Sequence, residues 1–352
     1  MNAGSQIGRL RLAAQRLVGA DATATGAVRH LAAMQAQDFP GVVVSIAVRT
    51  RGRSRADVEA AFDAGDVVVS WPLRGTLHAV VAEDLGWLLA LGTPRVLAQA
   101  AARRAALSLD DAVFDRAREV AVEALHGGRR LRRDALLAAW AAAGVAIDGQ
   151  RGYHLLWHLA QTGTLCLGPL VDGRPAIVLV DEWIRAPRRL ARDEALGELA
   201  LRYFQGHGPA TVRDFVRWAQ LLAADARTGL AIAAPQLERV VVDGVDHFRC
   251  PQVADRLAAA SEQADGVLLL PGFDEFVLGY RDRDAVLDPA YAQRIVPGGN
   301  GVFRPTVVDA GRIVGTWRHS GRGAARTLEV DPFDRFTPAV EAGVVAAYAR
   351  LP

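Results

Sequence analysis

Two Asp-Gly dipeptides, Asp172-Gly173 and Asp243-Gly244, most constrain how this chain can fold, because each sits between short strand-like runs that follow a train of helical segments. Asp-Gly suits the two-residue turn whose twist matches a β-hairpin. Ahead of the first dipeptide, residues 109–126, 133–143 and 150–161 carry helical periodicity, and 164–171 and 175–180 flank the turn. Ahead of the second, 193–206, 211–222 and 225–233 lead into strands at 239–242 and 246–250. A third copy opens the chain with helices at 5–18, 25–37 and 54–62, then strand-like 67–69 and 74–81 joined around Pro72. Residues 42–48 are apolar and read equally well as strand or short buried helix.

Three helices and a hairpin, in that order, are the order of a winged helix, and the threefold recurrence is internal repetition. The boundaries follow as 1–105, 106–188 and 189–262. From residue 263 the composition shifts to strands and turns, so 263–352 is expected to be a small β-rich module covered by a terminal helix at 338–350. The fold class expected is α+β, with three tandem winged helix-turn-helix units.

At 352 residues, 51% of them hydrophobic, the chain can bury a sizeable core. It has no 18-residue apolar run and no charged-then-apolar start, so a soluble cytoplasmic protein without a membrane partner is expected. Cys166 and Cys250 are far apart in apolar surroundings and read as buried thiols of a reducing compartment. All of the 41 basic residues are Arg. Guanidinium forks match phosphates and guanine edges, yet a net charge of +2 argues for nucleic-acid binding only if local patches exist.

Gln35-Ala36-Gln37 closes the second helical stretch just before Phe39-Pro40-Gly41. On a regular helix, residues i and i+2 are separated by about 200° and face opposite sides. The two amides converge only if the helix ends between them, and Pro40 favours an ending there. At this level two readings stand: a solvated surface pair, or two neutral amides that grip one water or one base edge.

Trp71-Pro72-Leu73-Arg74-Gly75-Thr76-Leu77-His78 alternates as a strand, with Arg74, Thr76 and His78 on one face. That face suits phosphate or sugar oxygens, or is a plain exposed wing. Arg151, His154, His158 and Gln161 fall on one arc of a helix where a winged helix places its recognition element. Groove contact, a solvated face and an i,i+4 histidine metal pair compete there, and the metal reading lacks a third ligand. Arg129, Arg130, Arg132 and Arg133 form the densest basic cluster; Arg132 and Arg133 are the expected phosphate contacts. Asp274-Glu275 follows an apolar strand and a Pro-Gly turn. Its carboxylates either support a reacting centre or pair with nearby Arg281 and Arg283. Asn300-Gly301 signals a hairpin that, with Arg304 and the later Trp317-Arg318, would probe a groove. No nucleophile elbow, P-loop or dinucleotide fingerprint is present.

Ala33-Met34-Gln35-Ala36-Gln37, Trp71 through His78, Leu269-Leu270-Pro271-Gly272-Phe273-Asp274-Glu275-Phe276 and Pro297 through Trp317, in this order, resemble the AlkZ-type bacterial DNA glycosylases, also called the helix-turn-helix 42 family. The resemblance spans nearly the whole chain. It implies three tandem winged helices around a concave DNA-binding surface and removal of N-alkylated purines, with some members unhooking interstrand crosslinks as self-resistance. It implies further that the family's catalytic Gln-apolar-Gln falls on Gln35 and Gln37. A related branch carries Gln-apolar-Asp, so the full pair favours the crosslink branch.

The expected activity is therefore a monofunctional hydrolase of N7- or N3-alkylated purines in duplex DNA, acting as a monomer with no cofactor and no metal. The absence of lysine argues against Schiff-base lyase chemistry. The rival is a non-catalytic winged-helix DNA-binding protein such as a regulator, which would be indifferent to Gln37→Ala.

Overall fold

The computed structural model describes residues 3–321 and 326–352. Helices and strands mix along the chain, which packs as two compact units. One is continuous, Glu59–Ala195; the other joins Met1–Val58 to Leu196–Pro352. The boundary at residue 58 falls inside the first expected module, whereas 106–188 lies wholly within the continuous unit.

In the continuous unit, helices Asp111–Leu125, Arg133–Ala142 and Arg151–Gln161 are followed by strands Leu165–Val171 and Arg174–Leu179. Asp110 starts the series by accepting the Val113 N–H at 2.9 Å, an N-cap that satisfies one of the orphan donors of the first turn. The hairpin turns at Asp172 and Gly173, both at positive φ (52° and 70°), as a primed turn requires. Phe114, Leu136, Trp140, Leu155, Trp157 and Ile177 share the core of this unit. Trp140 keeps its indole N–H satisfied on the Ala117 carbonyl at 2.8 Å.

A second hairpin, Val67–Leu73 with Thr76–Val81, joins the first antiparallel through Val69 and Leu167. Its turn is Arg74-Gly75 (φ 55° and 65°), not the expected bend around Pro72. Pro72 lies inside the strand where the register shifts between Ser70 and Leu73, a place that tolerates a missing N–H.

In the other unit, helix Ala24–Leu31 begins at Thr23, whose hydroxyl accepts the Gly26 N–H. Its last residue, Leu31, lies six before the expected 37, and Ala32 caps it with φ 64°. The ambiguous apolar run is helical, Phe39–Ala47, with Pro40 in the first turn where its missing N–H costs nothing. Helices Arg192–His207, Val212–Ala219 and Ala223–Ala233 precede the hairpin Glu238–Val242 with Val245–Arg249. Thr211 and Asp214 form a reciprocal capping box.

The expected C-terminal module is an antiparallel sheet in the order Thr327–Pro332, Arg312–Ser320, Thr306–Asp309, Val267–Leu270. Helix Pro338–Ala349 packs Val344 and Ala347 against Val267, Leu269 and Trp317. Asn300-Gly301 does not make the expected hairpin. Asn300 has φ −69° and its side-chain oxygen accepts the Val302 N–H, an Asx turn; the sheet instead turns at Ala310-Gly311. Among the described residues no helix is long and apolar enough to cross a membrane, and both cysteines are buried and free.

Candidate active site

The early helix end at Ala32 changes the geometry of the glutamine pair. Met34 and Gln35 are extended, and Gln37 lies in the bend that leads into helix Phe39–Ala47, so neither glutamine is on a helix. Gln35 Nε2 accordingly donates to Gln37 Oε1 at 2.6 Å. Convergence arises because the helix stops before both residues, not between them. Gln35 is buried at 7% exposure, while Gln37 is exposed. A carboxamide oxygen has two lone pairs, so Gln37 Oε1 can take a second donor beside the Gln35 amide. Asp38, the next residue, is exposed at the start of helix Phe39–Ala47, and a Cβ at Gly41 would lie 2.6 Å from its Oδ2.

Beneath this segment lies a buried polar cluster. Asp274 and Glu275 are each 1% exposed. Asp274 caps helix Glu275–Leu278 through the Phe276 N–H at 2.9 Å. Both of its oxygens also meet Arg49, at 2.8 Å each, in a bidentate pair, and Ser45 Oγ donates at 2.6 Å. Arg49 continues to Gln15 Oε1 at 2.7 Å, and Gln15 Nε2 donates to the Tyr280 hydroxyl at 3.0 Å. Burial pushes the Tyr280 phenol well up, so it stays protonated and donates to the His207 carbonyl at 2.8 Å. Glu275 Oε1 accepts the backbone N–H of Gln35 at 3.1 Å, and Oε2 accepts Trp218 Nε1 at 2.9 Å. The expected partners Arg281 and Arg283 do not hold these carboxylates. Arg283 donates to the Val277 carbonyl and lies over the Phe303 ring, and the Arg281 backbone N–H donates to Asp214.

The expected DNA contacts separate into exposed and enclosed groups. Arg74, Thr76 and His78 do come together: His78 is fully buried, with Nδ1 2.8 Å from the Thr76 carbonyl and Nε2 2.9 Å from Arg74, while Arg74 and Thr76 are half-buried. The stripe on helix Arg151–Gln161 is not an outward face. Gln161 is buried and accepts the Thr93 hydroxyl at 2.8 Å. His158 stacks on Phe114 at 3.7 Å, and burial, then Arg104, push its pKa down from 6.5 to about 4. His154 is half-buried edge-on to Tyr153 and Trp157, its pKa also lowered by burial. Arg151 donates to the carbonyls of Leu107, Ser108 and Ala146. This helix packs on both Leu85–Gln99 and Asp111–Leu125, which uses up the polar arc. Among the described residues no group of three or more His, Cys, Asp or Glu could hold a metal.

Arg132 is half-buried beside Asp172 and Asp134, while exposed Arg133 lies 5.7 Å over Tyr153. Arg304 is exposed. Arg318 is exposed on its strand and pairs with Glu329 across the sheet. It also lines a cavity of about 700 Å³ with Asp38, Arg55, Trp317, His319 and Tyr348, beside the glutamine segment. Sequence reasoning missed Arg49, His207 and Trp218. The signal for Arg49 was faint: it is the first of four alternating arginines (Arg49, Arg51, Arg53 and Arg55), set apart only by the apolar run before it.

Residues 28–352 match the family model described as DNA glycosylase AlkZ-like. The chain belongs to this family of DNA glycosylases, enzymes that act on N-glycosyl bonds. It is similar to the interstrand DNA cross-link repair glycosylase of Streptomyces sahachiroi, 28% identical over 310 residues that cover 84% of this chain and 82% of that protein. The solved structure of Streptomyces sahachiroi DNA glycosylase AlkZ shares the fold, with a TM-score of 0.80 at 24% identity over 99% of this chain and 95% of that one.

Proposed function

We propose that this glycosylase hydrolyses the N-glycosidic bond of N7- or N3-alkylated purines in duplex DNA and unhooks interstrand crosslinks. The observation that carries this reading is the 2.6 Å contact that aligns the carboxamides of Gln35 and Gln37, one anchored and one exposed. A purine alkylated at N7 or N3 is already cationic, so the C1′–N bond breaks readily. Its electron pair goes to the base and cancels that charge, without a strong general acid. The remaining tasks are to hold a water beneath C1′ and to stabilise an oxocarbenium-like sugar. Neutral carboxamide oxygens do both: they accept from the water, which adds its oxygen to C1′ and loses one proton to solvent, and they present partial negative charge to the developing cation.

A crosslinked base is tied to the opposite strand, which obstructs the full rotation out of the helix used by many base-acting enzymes. A site whose reactive amide is exposed suits an unrotated substrate. The name of the S. sahachiroi relative supports the crosslink reading. We read the repeated helix–helix–helix–hairpin order as tandem winged helices of a cytoplasmic monomer devoted to self-resistance against a DNA-alkylating toxin. Arg132, Arg133, Arg304 and Arg318 are the phosphate contacts we propose, with Arg74 and Thr76 supporting.

The test is base release from duplex DNA containing N7-methylguanine, and from a duplex crosslinked through two purine N7 positions, both without added metal. Release from both is expected. Release from neither, with tight binding to undamaged duplex, contradicts the proposal.

A further inference from the structure

Both ring nitrogens of His207 face acceptors. Nδ1 lies 3.2 Å from the Tyr203 carbonyl and Nε2 lies 3.4 Å from Glu275 Oε2. A carbonyl only accepts, so Nδ1 carries a proton. In a neutral imidazole that leaves a lone pair on Nε2, directed at a carboxyl oxygen. One proton must therefore lie between Nε2 and Oε2, and its owner follows from the other partners of Glu275. Oε2 already accepts from Trp218 Nε1 and Oε1 accepts from the Gln35 backbone N–H. Donors on both oxygens stabilise the ionised carboxylate and disfavour the acid. The proton belongs to the imidazole.

We propose that His207 is held as a buried imidazolium paired with the Glu275 carboxylate, and that this pair is the positioning device that fixes Gln35, and through it Gln37, for catalysis. The second half of this inference rests on the reading of the glutamines as the water-positioning groups.

Both partners are almost fully enclosed, at 0% and 1% exposure. Two opposite charges tolerate such burial only when their remaining hydrogen-bonding capacity is met. Here every polar atom of the pair has a partner among Tyr203, Trp218 and Gln35. The Tyr203 ring stacks on the imidazole at 4.7 Å, and Trp218 and Tyr280 stand 5.2 and 6.1 Å away. The stacked Tyr203 face attracts a cation. Other charged or titratable groups around them are accounted for. Asp274 is matched by Arg49, Asp214 accepts backbone N–H groups, and Arg11 lies over the Tyr280 ring on the Pro209 carbonyl. His30 is neutral, its pKa pushed down to about 3 by burial. Gly279 packs closely on the imidazole, since a Cβ there would stand 2.5 Å from His207 Cδ2.

The consequence is a chain of fixed contacts from a charge pair to a backbone amide to a side-chain amide to the reacting water. Holding that water needs angstrom precision, and a shift of about 1 Å costs on the order of a hundredfold in rate. Glu275→Gln replaces one acceptor oxygen with an NH2 group. Whichever way the carboxamide turns, a donor then faces either the Gln35 N–H or the Trp218 N–H.

Two measurements test the proposal. The first uses the unsubstituted protein: ¹⁵N-resolved imidazole spectra at neutral pH, with the His207 signal assigned by its loss in His207→Gln. Two protonated ring nitrogens are expected; an unprotonated Nε2 would overturn the pair. The second compares wild type with Glu275→Gln for single-turnover release of N7-methylguanine and for affinity toward the same duplex. We expect about a hundredfold slower release with unchanged affinity. Equal release rates would overturn the positioning role. Failure of the wild type to release any base would instead overturn the functional reading, and the spectrum would still decide the state of the pair.

Discussion

The backbone N–H of Gln35 donates to Glu275 Oε1 at 3.1 Å, across 240 residues of sequence. That single bond ties the glutamine segment to a buried cluster whose members include Ser45, His207 and Trp218 from helices Phe39–Ala47, Arg192–His207 and Val212–Ala219. The exposed amide of Gln37 therefore rests on the most enclosed charges of its unit.

Arg49→Met removes one partner of a bidentate pair whose side chains are 1% and 0% exposed. Asp274 would remain as a buried carboxylate facing Ser45, and such a loss costs about 3–5 kcal/mol. Chemical denaturation is expected to show a lower midpoint at an unchanged slope, with the unfolding free energy reduced by that amount. An unaltered midpoint would mean that the pair contributes nothing.

Gly279→Ala places a Cβ 2.5 Å from His207 Cδ2 and 2.7 Å from the Glu275 carbonyl. Neither neighbour can retreat, because His207 is stacked on Tyr203 and the carbonyl belongs to backbone. Overpacking of this kind costs about 1–3 kcal/mol, and base release should fall further than stability explains. Thermal unfolding and single-turnover release, measured side by side, check it.

His158 and His30 carry pKa values lowered by burial, from 6.5 to about 4 and about 3. Their unfolded forms bind protons first as pH falls. The stability of the neutral folded forms is thus complete above about 6.5 and is lost as pH drops from there through the folded values. His158→Phe, which keeps the stack on Phe114, should flatten part of that loss. The check is the denaturation midpoint between pH 7 and pH 4 for both proteins; parallel curves would contradict the burial cause.

Arg318 is exposed and shares Glu329 across the sheet. Arg318→Ala should weaken binding to damaged and undamaged duplex alike and lower the salt slope by about 0.9, the loss of one phosphate contact. Glu329→Gln should raise affinity by freeing the guanidinium. Salt-dependent titrations decide between this and a purely structural strand pair.

Much of this architecture is legible in the sequence where local chemistry decides it. Asp110, Asp172-Gly173 and the spacing of Leu155, Leu156 and Leu159 dictate the cap, turn and buried face of the helices and hairpin between residues 110 and 179. Elements settled by tertiary choice are not legible in the same way. The helix end at Ala32 depends on an alanine adopting φ 64°, a conformation that nothing in its side chain advertises. The polar arc of Arg151, His154, His158 and Gln161 looks like an exposed face by periodicity. It is consumed because Thr93, Phe114 and the carbonyls of residues 107 and 108 supply partners from elsewhere in the fold. Asp274 and Glu275 stand out in the sequence, but their partners Arg49, His207 and Trp218 lie 225, 68 and 57 residues away.

The most direct test of catalysis by the glutamine pair is single-turnover release of N7-methylguanine by wild type and Gln37→Ala, without added metal, together with the affinity of each for the same duplex. A loss of about a hundredfold or more in release with affinity retained is the expected result, as for removal of one preorganised polar group from a reaction centre. Release by Gln37→Ala at the wild-type rate would contradict it.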